Sequence, residues 1–195
     1  MSKERMIERI RHRKRNAVDP EEFLLEAGAI EPTEREEELQ LTPAFFSAIE
    51  ENVEHYAEEG VGTEILAEIF GVEEDEVTEV EREYTAYKIL YTIRKWPSED
   101  SFVLDAAIHT ALRNTTDDWD AVPPRQRYRI LQSLRAFPDT CFFCGGTVTH
   151  SGALVQSCCS ERHVTTISCE GCERRFIEFT AETSEEPEIQ NRTNR

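Results

Sequence analysis

Six cysteines are concentrated between residues 141 and 172 of the 195-residue chain. Four of them form two Cys-x-x-Cys pairs, Cys141 with Cys144 and Cys169 with Cys172, separated by 24 residues. Each pair makes a tight knuckle that directs two thiolates at one point, and a Gly-Gly dipeptide lets the backbone turn after the first. Two knuckles together supply four sulfur ligands, so the spacing predicts a structural Zn²⁺ site.

The stretch around these cysteines, residues 141–180, resembles the zinc-ribbon family. The resemblance rests on the two knuckles and on short runs such as TVTH, HVTTISC and RFIEF, which alternate as strands do. It implies a small β domain with a structural metal, and the transcription and RNA-processing roles that zinc ribbons often have. Four thiolates fill a tetrahedral shell, so hydrolytic zinc catalysis is not expected.

The other two cysteines, Cys158 and Cys159, are adjacent in the sequence. Adjacent residues of a strand point to opposite faces, so both cannot reach one metal ion. The simplest interpretation places one in the core and leaves the other partly exposed. Two alternatives stay open: a replacement ligand, or an accessory thiol that responds to redox change. His150 and His163 are further candidate ligands, although four sulfurs already satisfy Zn²⁺.

Helical patterns precede the cysteines and must position them. Residues 19–41 indicate a short helix followed by an acidic linker, and residues 42–140 indicate a helical domain. The dipeptides Asp-Pro at 19–20 and Thr-Pro at 42–43 are typical helix starts, because a capping side chain precedes a proline that is already in helical conformation.

Residues 63–81, TEILAEIFGVEEDEVTEVE, resemble a helix-turn-helix. Counting from Thr63, Ala67 is in the fifth position and Gly71 in the ninth, where the turn needs a permissive φ. The resemblance predicts a first helix, a turn, and a long second helix over 73–96. The stretch carries eight carboxylates and no cation. The second helix is therefore expected to be a scaffold or to face a basic protein, because DNA contacts need basic or amide side chains.

The expected second helix carries an apolar stripe with a 3-4-3-4 spacing. Such a stripe packs inside its own domain or forms a coiled-coil seam between two chains. A homodimer is therefore a candidate assembly, with the seam formed by Val77, Val80, Tyr84, Tyr87 and Tyr91.

The net charge of −18 is unevenly distributed. The acidic, lysine-poor composition resembles that of proteins of salt-loving archaea, in whose cytosol the Debye length is about 3 Å at 1 M salt. Two basic segments remain for nucleic acid: an arm over residues 1–18 and a helix after Pro124. The alternative is that the helix arginines pair with the acidic residues of 16–83. The candidate contacts are Arg9, Arg11, Arg13, Lys14, Arg15, Arg125, Arg127 and Arg129.

Several functional classes are not expected from this sequence. It contains no apolar run of membrane-spanning length and no secretory signal pattern, so a cytoplasmic protein is predicted. The polar tail over 181–195 is expected to be disordered. No phosphate-binding loop, G-x-S-x-G or H-E-x-x-H motif occurs, so an enzyme is not expected.

These observations predict an α+β protein, a mainly α-helical, helix-turn-helix-like domain followed by a small β zinc ribbon. The combination is loosely similar to the archaeal general transcription factor E family. It favours a zinc-ribbon regulator associated with transcription, which binds nucleic acid or the transcription machinery. The alternatives are a non-catalytic, zinc-stabilised protein-interaction adaptor and, ranked below it, a thiol redox sensor.

Overall fold

The computed structural model of this chain describes residues 17–34, 38–157 and 160–181, with side chains outside 154–163 and 179–181. Three sets of predictions lie outside the described residues. They concern the arm cations (Arg9, Arg11, Arg13, Lys14 and Arg15), the adjacent Cys158 and Cys159, and the tail after residue 181.

Five α-helices and three antiparallel sheets form among the described residues. The helices are α1 (Pro20–Glu26), α2 (Pro43–Glu59), α3 (Thr63–Phe70), α4 (Glu99–Thr115) and α5 (Pro124–Arg135). The first sheet pairs β1 (Ile30–Pro32) with β2 (Leu39–Leu41), and the second orders β3 (Val77–Glu79), β4 (Ala86–Ile89) and β5 (Thr92–Lys95). The third orders β6 (Val148–Ser157), β7 (Ser160–Cys169) and β8 (Arg175–Ala181). The predicted α+β class is confirmed.

The helix starts follow the predicted capping chemistry. Asp19 accepts hydrogen bonds from the backbone amides of the first turn of α1 at 3.0 and 3.1 Å. Thr42 caps α2 through the amide of Phe45 at 3.3 Å. Ser98 caps α4 in a reciprocal pair of bonds with Ser101. Each cap satisfies amide groups that the first helical turn leaves without intrahelical partners.

The predicted long helix over residues 73–96 is wrong. After α3, Gly71 adopts a left-handed conformation with φ 59°, and the chain enters a 3₁₀ turn at Glu74–Glu76 and then the sheet β3–β5. Residues 84–95 are rich in Tyr, Thr and Ile, whose aromatic or branched side chains fit a pleated sheet better than a helix. The helix-turn-helix therefore lacks its second helix.

The predicted dimer seam is divided between the two faces and the loops of this sheet. Val77 is buried, and Tyr87 packs on the rings of Trp96 and Phe102, with centroid distances of 6.1 and 5.1 Å. Tyr84 is exposed instead. The five predicted residues cannot form a helical seam, so homodimerisation remains a prediction without a helical basis.

The hydrophobic core is centred on α4. Leu104, Ile108 and Leu112 of this helix are fully buried, and α2 packs along it through a face that includes Ile49. Strand β8 packs against α4 and α5, so the same core continues into the third sheet. None of the described helices has the length and hydrophobicity of a membrane-spanning segment.

A buried ion pair links the third sheet to this core. Arg135 Nε lies 2.9 Å from Asp105 Oδ1, and the indole of Trp96 donates to Asp105 Oδ2 at 2.7 Å. Burial raises the pKa of Asp105, and the Arg135 guanidinium opposes this shift. Arg135 also donates to the carbonyl of Phe176 in β8 at 3.0 Å. Removing either charge would cost about 3–5 kcal/mol, because its partner would remain buried and uncompensated.

Candidate metal centre

The four predicted zinc ligands lie together. The sulfur atoms of Cys141, Cys144, Cys169 and Cys172 are all within 4.8 Å of one another, and this group could hold a metal ion. Two of the distances are 3.8 Å, from Cys141 to Cys172, and 3.5 Å, from Cys144 to Cys169. A tetrahedral Zn²⁺ with bonds of about 2.3 Å holds its sulfurs about 3.8 Å apart. The geometry of the thiols therefore fits the ion.

The two knuckles repeat one backbone pattern. In the first, the amide of Cys141 donates to the carbonyl of Gly146 at 2.8 Å, and the amide of Gly145 donates to the carbonyl of Cys141 at 2.9 Å. In the second, the amide of Cys169 donates to the carbonyl of Arg174 at 3.0 Å, and the amide of Glu173 donates to the carbonyl of Cys169 at 2.9 Å. Residues 141–146 and 169–174 thus form the same loop twice.

The residue after the second cysteine is left-handed in both loops. Gly145 has φ 69° and Glu173 has φ 58°. Glycine reaches this region without steric cost, whereas a side chain crowds the following carbonyl. The first knuckle therefore has the favoured residue at this position, and the second keeps the same conformation with a strained one.

The first sulfur of each knuckle accepts a hydrogen bond from the amide two residues further along the chain. Phe143 donates to Cys141 at 3.4 Å and Gly171 donates to Cys169 at 3.3 Å. Amide donors stabilise a thiolate, which is the form that binds a metal.

Two glycines allow the knuckles to approach each other. A Cβ at Gly146 would lie 3.1 Å from the sulfur of Cys169 and 3.3 Å from that of Cys144. A Cβ at Gly171 would lie 3.5 Å from the sulfur of Cys144. The first glycine is therefore under tighter steric restriction than the second.

The surroundings of the four sulfurs differ although the backbone repeats. Cys141 and Cys169 are buried, Cys172 is half-buried and Cys144 is exposed. Burial raises the pKa of the Cys141 thiol to about 12. Burial also raises the pKa of Cys172, but hydrogen bonds from the side chain and backbone of Arg174 outweigh it and bring the pKa to about 6.

Arg174 attaches the second knuckle to the helical region. Its Nε lies 2.8 Å from Asp100 Oδ1 in the first turn of α4, and its guanidinium lies 4.9 Å from the ring centroid of Phe143. The hydroxyl of Ser98 donates to the carbonyl of Arg175 at 2.6 Å. Sequence spacing gave no signal for Asp100, because a contact between residues so far apart in the chain depends on the tertiary fold.

An aromatic contact attaches the first knuckle. The ring of Phe142 lies 4.7 Å from the ring of Phe46 in α2, and Phe143 stacks on Phe176 of β8 at 6.0 Å. The metal centre is therefore fixed to the helical region from both sides. His150, a candidate ligand in the sequence, is exposed on β6 and lies outside the described group of potential ligands.

One predicted nucleic-acid contact is buried, so that prediction is wrong for Arg127. Arg125 and Arg129 are exposed on α5, but Arg127 is 6% exposed and donates to the carbonyl of Glu68 at 2.6 Å. Glu68 lies in the last turn of α3, where carbonyls lack intrahelical donors and a cation is favoured by the helix dipole. Arg127 therefore caps α3.

A histidine network joins α3 to α4 and the turn that follows. The indole of Trp119 can only donate, and it donates to Nδ1 of His109 at 3.0 Å, so Nε2 carries the ring proton. Nε2 lies 3.2 Å from Glu68 Oε2, which also accepts from Arg113 at 2.5 Å. Burial lowers the pKa of His109. Both ring nitrogens are engaged, so this histidine serves packing.

The comparisons with known proteins agree with the division between helical region and metal centre. A model described as the central domain of a family of unknown function, DUF8054, matches residues 19–136. A second model, the C-terminal domain of the same family, matches residues 139–179 and so contains all four ligands. Searches of curated proteins and of solved structures give no match. The chain belongs to the DUF8054 family.

Proposed function

We propose that this protein is a non-catalytic adaptor in which a structural Zn²⁺ fixes the C-terminal sheet to a helical body. The observation that carries the proposal is the group of four converging sulfurs, two of which accept a hydrogen bond from a backbone amide, in the arrangement of a structural zinc site. When bound, the ion would supply folding free energy to a short segment with little core of its own.

The metal itself can be tested directly. Four thiolates also suit iron, so elemental analysis of protein purified without added metal must distinguish the two. We expect one zinc per chain, and Cys169→Ser should abolish it. An iron content equal to the protein content, with the absorption bands of iron bound to thiolates, would contradict the proposal. A zinc–thiolate centre also requires reduced cysteines, in accord with a reducing cytoplasm.

A protein partner fits the described surface better than nucleic acid does. The acidic residues of 73–76 form a turn ahead of a strand, so this segment supplies no recognition helix for a groove. Exposed apolar side chains are found instead on the sheet β3–β5, where Tyr91 is 82% exposed. Exposed aromatic residues are typical of protein contacts.

A transcription-associated, nucleic-acid-binding role is the second candidate. Arg125 and Arg129 lie one helical turn apart on α5, and both are exposed. Two cations on one helix face can contact successive phosphates, and such binding weakens as salt rises. The arm cations, which lie outside the described residues, would supply further positive charge for such binding.

One experiment separates the two candidates. Zinc-loaded protein is crosslinked to its partners in cells, and the purified complexes are divided into nuclease-treated and untreated halves. The adaptor proposal expects the same protein partners in both halves. Partners lost after nuclease treatment, and lost again in the Arg125→Ala, Arg129→Ala variant, would support the second candidate instead. Arg127 stays intact because it caps α3.

The redox-sensor alternative needs its own variants. Cys158→Ser and Cys159→Ser should change the response to an oxidant without loss of metal if either thiol is a sensor. An unchanged response would remove this alternative.

A further inference from the structure

One sheet carries most of the exposed apolar side chains of the described residues. Four large apolar residues are exposed, and three of them, Tyr84, Tyr91 and Ile93, lie on the sheet β3–β5 or its loops. Tyr91 is 82% exposed and Ile93 is 53% exposed. The inner face of the same sheet is occupied, because Val77 and Ile89 are buried in the core.

A strained turn presents Tyr91 to solvent. The two-residue turn between β4 and β5 consists of Leu90 and Tyr91, and Leu90 has φ 56°. A left-handed leucine costs about 1–2 kcal/mol relative to an ordinary conformation, so the fold maintains an unfavourable turn here. Strained residues of this kind cluster at functional sites.

Strand β5 is the outermost strand of this sheet. Among the described residues it pairs with β4 on one side, and no strand pairs with its other side. The amide of Trp96 donates to the carbonyl of Thr85 on the β4 side at 3.0 Å. Hydrogen-bonding directions alternate along a strand, so the amides of Ile93 and Lys95 point away from β4. A row of backbone groups is thus available to a further strand.

The outer face of this edge is basic in a strongly acidic chain. Ile93 is directly opposite Lys88 in the register, and Lys95 lies two residues further on the same face. Both lysines are exposed, and the whole chain has only four lysines against a net charge of −18. We call the residues Lys88, Tyr91, Ile93 and Lys95 the meander patch.

We propose that the meander patch binds an extended acidic segment of a partner protein, which adds to β5 as a fourth strand. The proposal rests on the adaptor function and names its docking surface and partner chemistry. The backbone of the segment would pair with Ile93 and Lys95. Alternate side chains on the outer face would place carboxylates opposite Ile93 and Lys95, where they meet the positive charge of Lys95 and of Lys88 on the neighbouring strand β4.

A second copy of this chain fits the same edge poorly. Antiparallel self-pairing would bring Arg94 and Lys95 of both chains onto one short ladder. Like charges on opposing strands destabilise a sheet, whereas an acidic strand meets the same cations with opposite charge. Charge complementarity therefore selects an acidic segment.

The test uses the full-length zinc-loaded protein and two capped peptides, one of alternating Glu and Val and one of alternating Lys and Val. The readout is amide hydrogen exchange at Ile93 and Lys95, measured by NMR, because it reports this edge and no other surface. We expect the acidic peptide to slow exchange at both amides and the basic peptide to leave it unchanged. Tyr91→Ser should weaken binding.

Reversing the lysine charges provides the decisive variant. Lys88→Glu combined with Lys95→Glu should weaken binding of the acidic peptide about tenfold or more. The same variant should allow the basic peptide to slow amide exchange at this edge. Arg125→Glu on α5 is the matched control and should change neither result. The proposal is overturned if the acidic peptide gives no protection, if both peptides protect equally, or if exchange slows with protein concentration alone. Partners found by crosslinking would still support the adaptor if this edge proved inactive.

Discussion

The two Cys-x-x-Cys knuckles share a backbone but not an environment. Residues 141–146 and 169–174 have the same pair of backbone hydrogen bonds and the same amide donors to sulfur. Around this shared frame, an aromatic contact from Phe142 to α2 holds the first knuckle. A charged contact from Arg174 to α4 holds the second.

This difference separates what a metal requires from what the fold requires. Four converging thiolates need a particular loop, so the loop repeats. Attachment to the helical region has no such restriction, so one knuckle is attached by an apolar contact and the other by a charged contact. The result is an asymmetric centre in which Cys144 is exposed while Cys141 and Cys169 are buried.

Metal removal is expected to have the largest effect, because it acts on both knuckles at once. Structural zinc contributes on the order of 10 kcal/mol to small domains at neutral pH. We expect a strong chelator under reducing conditions to abolish amide protection in β6–β8 while the centre of α4 stays protected. Hydrogen exchange with and without chelator measures this, and re-added zinc should restore protection. Full protection of β6–β8 without metal would show that core packing alone maintains the knuckles.

The glycine positions should separate the two knuckles by steric tightness. Gly146→Ala places a methyl group 3.1 Å from the sulfur of Cys169, whereas the methyl group of Gly171→Ala is 3.5 Å from the nearest sulfur, that of Cys144. Overpacking of this kind costs about 1–3 kcal/mol, so Gly146→Ala should weaken zinc affinity about tenfold or more. Competition with a chromogenic chelator measures both variants. Equal losses of zinc affinity in the two variants would mean that the knuckles can move apart to accommodate the methyl group of Gly146→Ala.

Arg174→Ala should act first on the second knuckle, which contains Cys172, and also removes one contact to Phe143 of the first. The substitution removes a cation that contacts Cys172, Asp100 and the ring of Phe143. Loss of such an outer-shell partner weakens metal affinity by about 10-fold or more.

Alkylation of the zinc-loaded protein gives a second readout for the same substitution. In limiting iodoacetamide, the exposed Cys144 should react first in the unaltered chain. Cys172 should become comparably reactive in Arg174→Ala. Arg175→Ala is the control, since its side chain is exposed and contacts Glu178 instead. If Arg174→Ala leaves the order of alkylation unchanged, the guanidinium does not shield Cys172.

The metal centre could be predicted from the sequence because its determinants are local. A Cys-x-x-Cys spacing specifies a knuckle without knowledge of the rest of the chain, and the caps at Asp19 and Thr42 are equally local. The attachments of the knuckles were not predictable in this way. Asp100 and Phe46 contact them only because α4 and α2 pack in particular positions.

The incorrect prediction of a long helix over residues 73–96 has a different physical origin. Val77 and Tyr84 fit a helical period, but the same letters also fit short strands, because apolar spacing over a few residues is ambiguous. The β propensity of residues 84–95 was the available signal. Burial of Arg127 was hidden for another reason: its acceptor is a backbone carbonyl of α3, and the sequence does not show which side chain will reach a helix end.

The smallest predicted effect concerns the one position where the two loops differ in backbone cost. Glu173 is left-handed at φ 58°, as Gly145 is at φ 69°. Glu173→Gly would relieve about 1–2 kcal/mol of steric cost. It would also add about 0.5–1 kcal/mol of unfolded-chain entropy, so a net gain of about 0.5 kcal/mol is expected. Gly145→Ala should lose about 0.5 kcal/mol through the reverse exchange, and no steric clash adds to it, because nothing lies within contact distance of the added methyl group. Thermal unfolding of the zinc-loaded variants measures both. If Glu173→Gly instead lowers the melting temperature, the Glu173 side chain must stabilise the second knuckle by more than its left-handed backbone costs. The two knuckles would then differ in this turn as well as in their contacts to the helical region.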